Sequence, residues 1–144
     1  MRFEHTVMID RPPDAVFALL TDTERLAEWQ PTTVEVRRSA SGPLTAGERF
    51  SEVHKAMGRK MESTFEVAEY QPGRLFALHA VEGPMLLDGR WELAADNGGT
   101  RLHFVGEGPV KGPMKLFEGS LGKSLDKRFR GYHATLKELV ESGS

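Results

Sequence analysis

The first residues of the chain, RFEHTVMI at positions 2–9, alternate polar and apolar side chains, with Phe3, His5, Val7 and Ile9 on one side. A period of two marks a half-buried strand. Asp10, Pro12 and Pro13 end the alternation and predict a helix start, because proline suits the first helical turn, where its missing N–H has no helical partner. DAVFALL predicts a short buried helix over 14–20. TDTE at 21–24 has capping-box spacing and predicts a second one, ending near Trp29 and Pro31. TVEVRRS predicts a second strand over 33–39.

From 47 to 105 alternating runs are separated by turn signals. MGRK at 57–60 has a glycine suited to a type II′ loop at Gly58-Arg59, and QPGR at 71–74 suits a type II turn. EGPM at 82–85 is another tight break, and DNGG at 96–99 carries the Asn-Gly of a type I′ hairpin. Together they predict a five-strand antiparallel meander. The loops also predict register: His54 opposite Ser63, Glu52 opposite Phe65, Val67 opposite Leu78, Ala80 opposite Leu87, Phe76 opposite Trp91 and Leu93 opposite Leu102. Under those registers Phe50, Phe65, Phe76, Leu78, Leu87, Trp91 and Phe104 share one face. Glu62, Glu66, Arg90, Glu92 and His103 share the other, as in a sheet with one covered side. The cover is a long helix over 113–140, where Met114, Phe117, Leu121, Leu125, Phe129, Tyr132, Leu136 and Leu139 recur at steps of three or four. No repeat, linker or low-complexity tract appears, so one domain over 1–144 is expected.

Composition changes this picture little. With 19 Lys and Arg against 21 Asp and Glu, the net charge of −2 gives no general drive toward nucleic acid or an anionic membrane. Charge is uneven, however. Residues 1–35 hold seven acids and three bases, whereas residues 111–130 hold six bases and two acids, a pattern expected of a solvated helix face given the Asp126–Arg130 spacing of four, with an anionic partner as the alternative. No apolar run reaches the roughly 18–20 residues of a membrane span, no signal-peptide core is present, and a cytoplasmic location is expected. The absence of cysteine rules out disulfides and thiolate chemistry.

The pattern IDRPPDAVFALLTDTERLAEW followed by Pro31, then GGTRL at 98–102 and GPVKGPMKLFEG leading into the last helix, resembles the SRPBCC/START-like superfamily. That superfamily includes START domains, the birch-pollen allergen and small polyketide cyclase/dehydrase-like proteins. The resemblance extends over essentially the whole chain. It implies an α+β helix-grip fold, in which a curved antiparallel sheet of about seven strands wraps a long C-terminal helix around an elongated cavity. It also implies that the Gly/Pro-rich loop 106–119 forms a movable rim with Met114 and Phe117 as cavity lining.

Motifs for other chemistries fail. GSLGKS at 119–124 has Phe117 where a phosphate-binding loop needs its first glycine, and it is already helical. His5, His54, His79, His103 and His133 show no metal-ligand spacing, and no serine sits in a nucleophile elbow. Neither a metal nor another cofactor is expected. An inward polar set remains. His54, Ser63 and Glu82 fall in one cross-strand row with Glu52 two residues away, and His5 and Tyr132 are positioned to join. Glu52 and His54 are the candidate catalytic acid and base, since a carboxylate beside an imidazole in an apolar pocket suits proton transfer. Ser63 between His54 and Glu82 is the wrong order for a nucleophilic triad. The candidate ligand contacts are His5, Phe50, Ser63, Phe65, Phe76, Leu78, Glu82, Leu87, Trp91, Phe104, Met114, Phe117, Leu121 and Tyr132.

Three functions fit. One is binding of a lipid-like or polycyclic small molecule. Another is cofactor-independent cyclisation or dehydration of a polyketide by Glu52 and His54. The third is a protein-interaction or co-chaperone-like role, using either the basic helix face or the outward apolar stripe Leu75, Ala77 and Val81, which is also a candidate homodimer contact.

Overall fold

The computed structural model describes residues 1–143. Strand β1 (Arg2–Ile9) leads into helix α1 (Pro13–Leu20), a 3-10 turn (Thr23–Arg25) and helix α2 (Leu26–Trp29). Strands β2 (Thr33–Arg37), β3 (Arg49–Ala56), β4 (Arg59–Gln71), β5 (Leu75–Glu82), β6 (Asp88–Asp96) and β7 (Gly99–Glu107) follow. A second 3-10 turn (Gly112–Phe117) precedes helix α3 (Glu118–Glu141). All neighbouring strands are antiparallel, in the order β1-β7-β6-β5-β4-β3-β2. The meander is thus extended at one edge by β1 and at the other by β2. Helix α3 packs across one face, the helix-grip arrangement.

Local chemistry explains the short elements. Pro12 and Pro13 begin α1, and the Thr21 hydroxyl ends it by donating to the Phe17 carbonyl at 2.8 Å. Asp22, not Thr21, caps the turn that follows, accepting from the Glu24 N–H at 3.1 Å. Leu26 and Trp29 of α2 then enter the core, so the predicted second helix is a 3-10 turn joined to one α turn.

Two of the four loops behave as read, and a third keeps its register while opening out. Asn97 and Gly98 both adopt positive φ, 50° and 83°, in a type I′ turn. The Arg74 N–H closes the turn at Pro72-Gly73 onto the Gln71 carbonyl at 2.9 Å. The loop after Gly83 sets Phe76 against Trp91 as expected, but there is no Ala80–Leu87 pair. Instead, β6 begins at Asp88, whose carboxylate accepts from the Ala80 N–H at 2.8 Å.

The fourth loop differs. Met57 (φ 52°) and Gly58 (φ 77°) form a type I′ loop in place of the type II′ loop at Gly58-Arg59. Glu52 therefore pairs with Ser63, His54 with Met61 and Phe50 with Phe65. The register moves by two positions, so every side chain keeps its face while its opposite neighbour changes.

Two further expectations change. Residues 113–117 are not α-helical, since α3 starts at Glu118 and the preceding 3-10 turn buries nothing. The outward stripe is not an open patch: Leu75 is 8% and Ala77 7% exposed. Glu69 and Arg90 flank Ala77 on the neighbouring strands, and their ion pair lies across it. Leu75 and Ala77 are thus covered from within the chain, while Val81 is half-buried.

Candidate functional site

Between the covered sheet face and α3 lies a cleft of about 170 Å³. Phe65 on β4, Leu78 on β5, Trp91 on β6, Phe104 on β7 and Phe129 on α3 form its apolar wall, with Pro84, Met85 and Leu87 at the rim. Gly89 clears space for the indole, because a Cβ there would lie 2.8 Å from the Trp91 ring. Gln30, Thr32, Glu52, His54, Ser63 and Tyr132 supply the polar side. A void of about 30 Å³ adjoins the cleft beneath Trp29, Leu44, Phe50 and Phe76, sharing Gln30, Glu52, Leu78 and Trp91 with it. A larger groove of about 980 Å³ lies outside α1 and β2, where Asp14, Asp22, Glu24, Glu35 and Arg38 are interspersed with Phe17, Val34, Val36 and Tyr70.

The polar side is wired in pairs. The Thr33 hydroxyl donates to Glu52 Oε1 at 2.7 Å, His54 Nε2 lies 3.0 Å from Ser63 Oγ, and Tyr132 Oη lies 3.1 Å from Thr32 Oγ1. Burial raises the pKa of Glu52 above its ordinary value, opposed by the Thr33 hydrogen bond and by the charge of His54. A carboxyl held above its usual range, with one oxygen fixed by a hydroxyl, is suited to carry a proton in an apolar site. Trp29 brings a different resource. Its indole N–H is the one buried side-chain donor without a partner among the described residues.

Several anticipated residues lie elsewhere. Glu82 is exposed and pairs with Thr64 rather than Ser63, because a register shift in the β4–β5 ladder passes over Val81. The His54–Ser63–Glu82 row therefore does not exist. Met114 and Phe117 are 52% and 59% exposed on the 3-10 turn and do not line the cleft. Leu121 is half-buried, packed against the core outside the cleft lining. Phe50 and Phe76 border the small void instead of the cleft. His5 faces inward but is committed to other partners.

Those partners form a buried chain that sequence reasoning missed. His5 Nδ1 lies 2.8 Å from Asp126 Oδ1, and His5 Nε2 lies 2.7 Å from His133 Nδ1. Trp91 Nε1 donates to His133 Nε2 at 3.0 Å. An indole nitrogen can only donate, so His133 Nε2 must be bare and its proton sits on Nδ1. That proton is donated to His5 Nε2, which leaves the His5 proton on Nδ1, donated to Asp126. Both imidazoles are neutral, and every hydrogen bond has one donor. Burial lowers the pKa of His133 to about 3 and also lowers that of His5, against the pull of Asp126. The signal was present in the stripe, since His133 falls four residues after Phe129 and three before Leu136. The chain ties β1, β6 and α3 together and fixes the Trp91 ring in the cleft wall.

Residues 1–141 match the family described as polyketide cyclase/dehydrase and lipid transport. Solved structures with the same fold include TTHA0849 from Thermus thermophilus, with 22% identity and a TM-score of 0.82 over 100% of this chain and 99% of that one. The Zhui aromatase/cyclase from Streptomyces sp. R1128 has 19% identity and a TM-score of 0.73 over 98% and 93% of the two chains. Ara h 8.0201 has 14% identity and a TM-score of 0.71 over 99% and 98%. No curated protein matches the chain. Among the described residues no helix is long and apolar enough to cross a membrane.

Proposed function

The chain belongs to the polyketide cyclase/dehydrase and lipid transport family, and on that premise we propose that its cleft binds an apolar small molecule of lipid-like or polycyclic, polyketide-like type. The observation that carries this reading is the asymmetry of the cleft, with aromatic rings on one side and Glu52, His54, Ser63 and Tyr132 on the other. Such a wall favours an apolar body, and such a polar side orients a hydroxyl or carbonyl. The unpartnered Trp29 N–H is a further donor for an oxygen reaching the adjoining void. At about 170 Å³ the cleft is smaller than the roughly 300–1,000 Å³ that encloses a drug-sized ligand. The bound molecule therefore projects from the mouth or widens it.

A second reading, a cyclase or dehydratase, is favoured by the raised pKa of Glu52 beside His54. Glu52 would take or return the proton lost in enolisation of a bound polyketide, with His54 as its partner. One set of proteins separates the two. Wild type, Glu52→Gln and His54→Phe are tested for uptake of an environment-sensitive apolar dye and for turnover of poly-β-ketone substrates. Binding alone predicts dye uptake by all three with no turnover. Catalysis predicts turnover by the wild type and a loss of about 10²–10⁴-fold in Glu52→Gln. Absence of dye uptake by the wild type, together with no bound small molecule in native mass spectra, removes the binding reading.

A further inference from the structure

The segment between β7 and α3 stands apart from the rest of the chain. Residues 111–117 are all exposed, and they include Met114 (52%), Leu116 (86%) and Phe117 (59%). A lone exposed apolar side chain means little, but three within four residues on one short turn are costly to leave in water. Among the described residues, polar contacts hold the chain on either side of the segment, at Gly108 and Glu118. The Met1 ammonium donates to the Gly108 carbonyl at 2.9 Å, the Gly108 N–H donates to the Met1 carbonyl at 3.0 Å, and the ammonium lies 3.6 Å from Glu118.

Charge makes the segment more specific. Lys111 and Lys115, and beyond them Lys123, Lys127 and Arg128, have no carboxylate partner among the described residues. The two acids in this stretch are engaged: Glu118 with the Met1 ammonium, and Asp126 with His5 and Arg130. An apolar tip thus stands on a base of uncompensated positive charge. Its foot also touches the loop that rims the cleft, since a Cβ on Gly108 would lie 2.2 Å from the Leu86 carbonyl oxygen. Met85 and Leu86 of that loop are themselves 39% and 38% exposed.

We propose that this arm docks the protein on an anionic lipid bilayer. Met114, Leu116 and Phe117 enter the boundary between headgroups and acyl chains, and Lys111 and Lys115 pair with lipid phosphates. A second copy of this chain is the poorer occupant, because a two-fold contact through the arm would bring two basic segments together. Docking turns the cleft rim toward the membrane, where apolar molecules reside. The proposal does not require the cleft to hold a ligand, so it stands or falls apart from the binding reading.

The test is co-flotation of the full chain with vesicles of phosphatidylcholine and phosphatidylserine in roughly a 2:1 ratio, against pure phosphatidylcholine. The wild type is expected to float with the anionic vesicles, to bind the neutral ones far less, and to dissociate as salt rises. Leu116→Ser is expected to weaken binding about tenfold, and Lys111→Glu with Lys115→Glu by about tenfold or more. Both variants change only exposed side chains, so unchanged melting temperatures confirm intact folds. Three outcomes overturn the proposal. They are no flotation by the wild type, flotation that ignores both variants, and a wild-type dimer in solution that Leu116→Ser dissolves while neither protein floats.

Discussion

At the scale of single residues, two buried groups tie stability to pH with opposite sign. The unfolded chain gains a proton on His133 below the ordinary value of 6.5, whereas the folded protein does not until about 3. Stability is therefore complete above 6.5 and falls as the pH drops from there toward 3, and His5, lowered chiefly by burial, adds to the loss. Each histidine contributes a slope of at most about 1.4 kcal/mol per pH unit. In urea titrations His133→Phe is expected to be less stable at neutral pH by about 2–4 kcal/mol, because Trp91 Nε1 and His5 Nε2 lose their partner, and to show a shallower acid slope. An unchanged slope would place the titration elsewhere. Glu52 acts in the other direction. Its raised pKa means that burying the carboxylate weakens the fold at pH values above the ordinary 4.5. Glu52→Gln can still accept the Thr33 hydrogen bond. It is expected to melt higher than wild type at neutral pH and to match it where the carboxyl is protonated in both states. A lower melting temperature at neutral pH would refute the burial penalty. Glu52 and His54 were legible in sequence because side-chain parity survives a register error of two. The role of His133 was not legible, because its partners His5 and Trp91 lie on strands remote from it in sequence and no local spacing brings them together.

At the scale of elements, the hairpins show what turn chemistry can and cannot give. Asn97-Gly98 was readable because asparagine and glycine are the residues that tolerate the two positive φ values of a type I′ loop. Met57-Gly58 was not, because methionine gives no such signal, yet Met57 takes φ 52° while fully exposed. That conformation carries a cost that no contact of the side chain offsets. Met57→Asn is expected to raise stability by about 0.5–1 kcal/mol without altering the cleft, readable as a higher urea midpoint at constant m. A neutral or destabilising result would mean that the loop is not strained as its dihedral implies. Glu82 was lost for a related reason. A ladder irregularity beside Val81 shifts the pairing by one residue, and no local residue type announces it. The long helix was legible over the turns that face the sheet. Its start was not, because Met114 and Phe117 continue the spacing of three and four after the packing that justifies it has stopped.

At the scale of the whole molecule, the grip on α3 is uneven. Its C-terminal half buries Tyr132, His133, Leu136 and Val140, and Lys137 Nζ donates to the Met8 carbonyl at 2.8 Å. The Asp10 N–H donates to Glu141 Oε2 at 2.8 Å, and Arg11 donates to the Glu141 carbonyl. The N-terminal half buries only Leu125, and beyond the His5–Asp126 bond its polar tie to the rest of the fold is the Met1–Glu118 ion pair. The cleft lies mainly along this weaker half, where Leu125, Arg128 and Phe129 form its helical side together with Tyr132 at the start of the tighter half. A cleft of about 170 Å³ admits a larger ligand only if one wall gives way, and the least-tied wall opens at the lowest cost. Amide hydrogen exchange should therefore be faster across 118–128 than across 132–140 in the free protein. An apolar ligand near a hundred times its Kd should slow exchange selectively in the first segment and stabilise the fold by about 2.7 kcal/mol. Uniform protection along α3, or slowing confined to β5 and β6, would mean that the sheet yields and the helix stays fixed.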